Sequence, residues 1–222
     1  MIRSLILVAA LGGLALVSTQ SGFGQATRFY IKGGIGPALT EDTRLKEFNG
    51  PITDTKVKFD PGVQFRFAGG FRITEWLSTE LESGVTYNNI KSITGATTVD
   101  ASLSNVPLLA NLVLQCPPKK CPFTPYVGGG FGYSSSVLDA EDINIGGLHL
   151  SDTQSDAVFA YHAFGGFAYH INDRMHVDLA YRYFGTTEPT WKSDVIFAGG
   201  SGRTRFGENR THSITFSFTY SF

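Results

Sequence analysis

Charged residues are scarce in this chain: Asp, Glu, Lys and Arg make up 17% of its 222 residues, against roughly 25% in ordinary soluble domains. The net charge is −1, which gives no general attraction to nucleic acid. No run of 18 or more apolar residues occurs, so the sequence predicts no transmembrane helix. A chain that crosses a membrane without helices must close its strands into a barrel, because lipid offers no partner for backbone N–H and C=O groups.

Cysteine is also nearly absent. The two cysteines, Cys116 and Cys121, bound one short segment, CPPKKC. Two thiols with no histidine in the same turn do not make a tetrahedral metal set. Exported compartments are oxidising, so the sequence predicts a disulfide between these two residues rather than a metal site.

The first 26 residues are typical of an export signal. An arginine near the start precedes an uncharged apolar stretch, Leu5–Val17. As a helix this stretch would span only about 20 Å, short of the ~30 Å hydrocarbon core of a membrane. Small residues that suit signal cleavage follow it and end at Ala26. We therefore expect a signal peptide over 1–26 and a mature barrel domain over 27–222.

From residue 28 onward, apolar and polar residues alternate with the period of two that indicates β-strands. Eight such segments can be distinguished, joined by short turns around 74–76, 116–122 and 172–173. The other four connections are long and polar, at about 40–60, 90–102, 139–156 and 185–210. Short turns at one end and long loops at the other are typical of transmembrane barrels. The sequence therefore predicts an all-β, eight-stranded antiparallel up-and-down barrel with both termini at the short-turn end.

The apolar face of the predicted barrel is expected to point outward. It carries Phe, Tyr and Leu on nearly every strand, too much volume for the narrow lumen of an eight-stranded barrel. The inner face carries charges of both signs, and an unpaired buried charge costs several kcal/mol. We therefore predict a salt-bridged interior network with ordered water, and a packed polar core or a lining that passes small ions both remain open. The predicted members of this network are Arg66, Arg72, Glu80, Glu82, Asp178 and Arg182.

Candidate catalytic chemistry is sparse. A nucleophile and its base must lie within hydrogen-bonding distance, whereas His212 and Ser213 are adjacent on a strand and point to opposite faces. Three further histidines share the predicted inner face, where hydrogen-bonded lumen residues are expected: His162, His170 and His176. No catalytic residue, cofactor or metal ligand is assigned.

The mature chain resembles the outer-membrane β-barrel family that includes the OmpA transmembrane domain, OmpX and the opacity-type surface proteins. The resemblance rests on the predicted signal peptide, on the segments TPYVGGGFGY (124–133) and AYRYF (180–184), and on the last strand. That strand places an apolar residue at every second position up to an aromatic end, which resembles the signal read by the barrel-assembly machinery. These residues are Ile214, Phe216, Phe218, Tyr220 and Phe222.

The resemblance implies a monomeric barrel in the outer membrane of a Gram-negative-type cell, in contact with lipid and lipopolysaccharide and without a nucleic-acid partner. The expected role is structural, adhesive or recognition through the four long loops, for which an extracellular ligand or a host surface is left open as a partner. Basic residues of the last loop, Arg203, Arg205 and Arg210, could pair with lipopolysaccharide phosphates. The alternatives are a narrow porin-like channel for ions or small solutes and, less favoured, a lipid A-modifying enzyme.

Deleting Phe222 is expected to impair insertion into the outer membrane, because the terminal aromatic is part of the predicted assembly signal. The measurement is the amount of heat-modifiable barrel in outer-membrane fractions, with Phe131→Leu as a control that alters an aromatic outside the last strand. Normal insertion of the shortened chain would contradict this interpretation of the ending.

Overall fold

A computed structural model describes residues 28–48, 55–116, 123–145, 148–197 and 200–222. The predicted signal peptide and Cys121 lie outside the described residues, so the cleavage and the Cys116–Cys121 disulfide remain predictions. In the described part of the chain, no helix is long and apolar enough to cross a membrane. The strands are β1 Phe29–Thr40, β2 Thr43–Phe48, β3 Lys56–Phe59, β4 Gly62–Arg72, β5 Leu77–Ile93, β6 Ala96–Gln115, β7 Phe123–Ile145, β8 Leu148–His170, β9 Met175–Thr186, β10 Thr190–Phe197, β11 Gly200–Phe206 and β12 Asn209–Ser221.

Eight of these strands close into a barrel. β1 pairs with β12 on one side and with β4 on the other. The antiparallel ladder then continues through β5, β6, β7, β8 and β9 back to β12. Each barrel strand thus has two hydrogen-bonded neighbours, and closure removes the exposed sheet edge. The predicted eight-stranded antiparallel up-and-down barrel is confirmed.

The turns after β4 and β8, the start of β1 and the C-terminal residue lie at one end of the barrel. The hydroxyl of Thr74 accepts backbone N–H groups in the turn after β4, and the side chain of Asn172 does the same in the turn after β8. Polar side chains of this kind stabilise tight turns through such local hydrogen bonds. The backbone N–H of Phe222 donates to the carbonyl of Phe29 at 3.1 Å, which ties the last residue to the first strand.

The outer surface of the barrel is apolar. On β12 the side chains of Ile214, Phe216 and Phe218 are exposed, as is Phe222 directly after the strand, whereas the serines and threonines between them are buried. The apolar face therefore points outward, as the sequence predicts. Toward the start of β12, the outward residue before Ile214 is His212, which is polar. The apolar stretch of this strand therefore ends at Ile214.

The four long connections contain strands, and the expectation that they form loops was wrong. β2 and β3 lie in the first connection, and β10 and β11 in the last. The other two connections are the outer ends of β5 to β8, of which β7 and β8 each have 23 residues. Ladders join β10 to β11, β11 to β2, β2 to β3 and β3 to β5. We call β2, β3, β10, β11 and these outer ends of β5–β8 the extension.

The extension has an apolar core of its own. Along β7, Phe131 and Tyr133 point outward, whereas Leu138 and Ile143 are buried inside. The apolar face thus changes sides within one strand, and charged residues take the outward positions. Those charges give the connections the polar composition that suggests loops. The buried core residues are Leu45, Phe48, Val57, Phe59, Ile90, Ile93, Ala101, Leu103, Leu138, Ala140, Ile143, Trp191 and Phe206.

Trp191→Ala is expected to loosen the extension and to leave the barrel folded. The Trp191 ring is buried, packs edge-to-face on Phe206 at 5.0 Å, and donates from Nε1 to the carbonyl of Ser136 at 3.0 Å. Truncating such a residue costs about 3 to 5 kcal/mol. Trypsin cleavage within the extension should become faster while heat-modifiable mobility is retained. Phe131→Ala, on the exposed outer face, is the matched control, and equal protease resistance of all three proteins would contradict the prediction.

Candidate functional site

A cluster of buried charges fills the barrel interior around Glu82. The Oε1 atom of Glu82 accepts hydrogen bonds from Arg66 Nη1 at 2.8 Å and from Arg182 Nη1 at 2.9 Å. Its Oε2 atom accepts from Arg182 Nη2 at 3.1 Å and from Asn111 Nδ2 at 3.2 Å. The three charged side chains are only 3 to 6% exposed. Because Arg182 binds both carboxylate oxygens, this pair has the bidentate geometry of the stronger ion pairs.

The position of the strands shows that this cluster crosses the lumen. Arg66 lies on β4 and Glu82 on the neighbouring strand β5. The register partner of Glu82 is Ala68, which is only two residues from Arg66 along β4, so the two charged side chains lie close together. Arg182 lies on β9, which is four strands from β5 in either direction around the ring. The Glu82–Arg182 ion pair therefore spans the lumen from one wall to the opposite wall.

Uncharged side chains form further hydrogen bonds around the ion pairs, although Arg182 Nε has no hydrogen-bond partner among the described residues. Arg66 Nε donates to Gln64 Oε1 at 2.8 Å, and Gln64 Nε2 donates to Thr215 Oγ1 at 2.6 Å. The Nε2 atom of His162 lies 2.7 Å from Asn111 Oδ1, and its Nδ1 atom contacts Arg182. The hydrogen-bonded cluster thus joins six barrel strands, β4, β5, β6, β8, β9 and β12.

Apolar and aromatic groups cover the charges on both sides. The guanidinium of Arg66 lies over the ring of Phe184 at 5.5 Å, and that of Arg182 lies over Phe164 at 4.5 Å. Phe184 forms a small buried cluster with Leu109 and Ala160. These contacts leave the ion pairs poorly accessible to water, and their attraction is correspondingly less screened.

Glycines on β7 make room for this packing. A Cβ atom on Gly130 would lie 2.1 Å from Asn111 Oδ1, and one on Gly128 would lie 2.5 Å from the ring of Phe164. Both distances are too short for a Cβ atom, so a side chain at either position would require the neighbouring groups to move.

The other three predicted network residues lie in a separate layer, nearer the short-turn end. Glu80 accepts a hydrogen bond from the Tyr30 hydroxyl at 2.8 Å. Arg72 lies over the Tyr30 ring at 5.3 Å and donates to Ser221 Oγ at 3.0 Å. No ion pair joins Arg72 or Glu80 to another predicted member among the described residues, so the single network predicted from the sequence is divided.

Asp178, the third residue of this layer, pairs with a lysine that the sequence analysis left out of the network. Its Oδ1 atom lies 3.0 Å from Lys32 Nζ and also accepts the Tyr126 hydroxyl. Lys32 in turn lies over the Tyr126 ring at 4.9 Å. The alternation on β1 already puts Lys32 on the inner face, and that signal alone could have included it.

The inner-face histidines contribute hydrogen bonds and ring contacts. The rings of His170 and His176 lie 5.1 Å apart, and the Thr124 hydroxyl lies 3.2 Å from His170 Nε2. The described part of the chain contains no group of three or more His, Cys, Asp or Glu residues that could hold a metal ion.

Comparison with known proteins identifies one family. The model of the outer membrane protein beta-barrel domain matches residues 6–222. None of the curated proteins matches the chain significantly.

Several solved structures are similar in fold. The outer membrane protein OprG from Pseudomonas aeruginosa is 16% identical with a TM-score of 0.63, over 89% of this chain and 97% of that one. Neisserial surface protein A is 15% identical with a TM-score of 0.53, over 87% and 97%. The outer membrane protease OmpT from Escherichia coli is 8% identical with a TM-score of 0.51, over 92% and 100%. At these identities the likeness concerns the fold alone.

Glu82→Ala is expected to destabilise the barrel by about 3 to 5 kcal/mol, because it leaves two buried guanidinium groups without a carboxylate. The shift is measured as a lower urea midpoint for unfolding from lipid vesicles. The matched control is Glu80→Gln, whose amide oxygen still accepts the Tyr30 hydroxyl, and a small shift is expected there.

Replacing the whole ion-pair set should recover the lost stability. A triple variant with Glu82→Leu, Arg66→Met and Arg182→Met removes all three charges together, which often restores or exceeds the original stability of a protein. A single Glu82→Ala variant as stable as the unaltered barrel would show that the ion pairs are not formed.

Proposed function

The chain belongs to the outer membrane protein β-barrel family, and from this premise we propose that it is a closed, non-conducting barrel whose extension is its working surface. Members of this family lie in the outer membrane of Gram-negative bacteria, with short turns toward the periplasm and long connections outside. The extension then stands on the cell surface, where it serves in structure, adhesion or recognition. The proposal includes export by the segment 1–26 and assembly through the last strand.

The observation that carries the non-conducting part is the Glu82–Arg182 ion pair across the lumen. Arg182 donates hydrogen bonds to both Oε atoms of Glu82, and Arg66 donates a further hydrogen bond to Glu82 at 2.8 Å. An ion passing this point would have to separate buried, hydrogen-bonded charges, and breaking a buried pair costs several kcal/mol. The fully buried rings and side chains of Phe184 and Leu109 lie beside the cluster and narrow the same passage.

The extension supports a role in recognition because its shape is fixed. Its backbone is paired in ladders, and its core contains thirteen buried residues, Trp191 and Phe206 among them. A surface held by a rigid scaffold loses little conformational freedom on binding, so more of the contact energy appears as affinity. Exposed charged residues cover its outside, among them Arg44 and Lys58. Pairing of the exposed Arg210, which lies outside the strands β11, β2 and β3, with lipopolysaccharide phosphates is part of the proposal.

Planar-bilayer recordings test the closed interior. The unaltered protein is expected to give no steady conductance, whereas a triple variant with Arg66→Ala, Glu82→Ala and Arg182→Ala should conduct small ions, because it removes the side chains that span the lumen. A variant with Arg72→Ala, which leaves the central cluster intact, is the control and should stay closed. A steady, salt-dependent current through the unaltered protein would overturn the non-conducting proposal in favour of a narrow channel.

A further inference from the structure

One side of the extension is basic. The strands β11, β2 and β3 are consecutive neighbours in the sheet, and they contain six exposed basic residues and a single acidic residue, Glu47. We call the exposed side chains on these strands the basic wall. Its members are Arg44, Lys46, Lys56, Lys58, Arg203 and Arg205.

Most of the charge on the basic wall is not neutralised within the extension. Glu188 contacts Lys46 and lies 2.7 Å from Arg205, and the hydrogen bond from Lys46 is the main cause that lowers the pKa of Glu188. No ion pair to an acidic residue is formed by the other four basic residues within the described ranges. Those four are Arg44, Lys56, Lys58 and Arg203.

The opposite side of the extension is acidic. The strands β6, β7 and β8 are consecutive neighbours and contain no lysine or arginine along their whole length. At their outer ends they carry carboxylates, which we call the acidic wall. Its members with described side chains are Asp100, Asp139, Glu141 and Asp142.

The basic wall repels itself. In the ladder between β2 and β3, Arg44 is the direct register partner of Lys56. Like charges directly opposite on neighbouring strands are destabilising. The basic wall therefore has an arrangement that an oppositely charged surface would relieve.

We propose that the extension associates side by side with a second copy of the same chain, the basic wall of one copy against the acidic wall of the next. The two walls supply complementary surfaces on one molecule, whereas a polyanionic glycan would match the basic wall alone. All copies inserted in a membrane stand in the same direction, so the two walls meet at the same height. Lys58 of the basic wall is the register partner of Ser92, three residues beyond Asn89 on β5, and Asp100 lies two residues beyond Ser102, the register partner of Asn89, which supports this match in level.

The position of the walls determines the kind of assembly. They lie on opposite sides of the extension, with β5 between them at one margin. A head-to-tail contact whose two surfaces face away from each other does not close into a small ring. It propagates as a row in the plane of the membrane. The proposal goes beyond the closed-barrel function and is independent of it, and it replaces the monomer expected from the sequence.

Energy transfer between labelled copies tests the proposal. The mature protein, labelled at its N-terminus with donor or acceptor, is inserted into phosphatidylcholine vesicles, which contain no anionic lipid. Transfer is expected to exceed that of randomly placed barrels at low salt. The energy transfer should fall to the random value as salt is raised from about 10 mM to about 1 M. Over this range the Debye length decreases from about 30 Å to about 3 Å, so the attraction between the walls is screened.

Two charge-reversal variants supply the decisive comparison. Arg44→Glu, Lys56→Glu, Lys58→Glu and Arg203→Glu together make both walls acidic, and Asp100→Lys, Asp139→Lys and Glu141→Lys together make both walls basic. Each variant alone should show only random transfer. A mixture of the two variants should regain the excess transfer of the unaltered protein, because an acidic wall then again meets a basic wall. Heat-modifiable mobility checks that each variant is folded.

Three outcomes would overturn the proposal. Random transfer by the unaltered protein at low salt would exclude association. Excess transfer that resists both salt and charge reversal would assign the contact to the apolar band instead. Binding of purified lipopolysaccharide that is lost in the variant with Arg44→Glu, Lys56→Glu, Lys58→Glu and Arg203→Glu, while transfer stays random throughout, would identify the basic wall as a polyanion site.

Discussion

A backbone N–H group that meets hydrocarbon has no hydrogen-bond partner, and the rest of this structure follows from that constraint. It requires every strand that crosses the apolar band to be paired on both sides, which the closed ladder from β1 to β12 provides. Closure with eight strands leaves a lumen just wide enough for side chains to fill. Many inner positions are therefore glycine, serine or threonine, and the others include a few aromatic residues and long polar residues that reach one another.

The charged cluster is the consequence of that narrow lumen. A carboxylate in such a space must be paired, and Glu82 is bound by two guanidinium groups and one amide. The arginines need partners in turn, which Gln64 and His162 supply. Since the cluster joins six strands, its contribution is spread around the barrel wall. The same side chains that pair with one another therefore also cross the lumen.

Much of this could be predicted from the sequence, and the limits have physical causes. The contact of Arg66 with Glu82 could be predicted from the sequence. The two residues lie on neighbouring strands joined by a short turn, and that turn determines the register of the strands. The partner of Asp178 could not be predicted, because Lys32 lies on β1, and β12 separates that strand from β9. Contacts across a lumen depend on the closure geometry and on side-chain length, and neither is encoded in the alternation of one strand.

The extension escaped prediction for a different reason, which also bears on its role. Alternation shows that one face is apolar, but which face is inside depends on the surrounding solvent. Within β7 the solvent changes between Tyr133 and Leu138, and the apolar face changes sides with it. The extension thus folds as a water-soluble barrel does, on a base that folds as a membrane protein does. Its core is a separate cluster from the one at Phe184. Substitutions on its outer walls can therefore alter charge and partner choice while the membrane barrel remains unaffected.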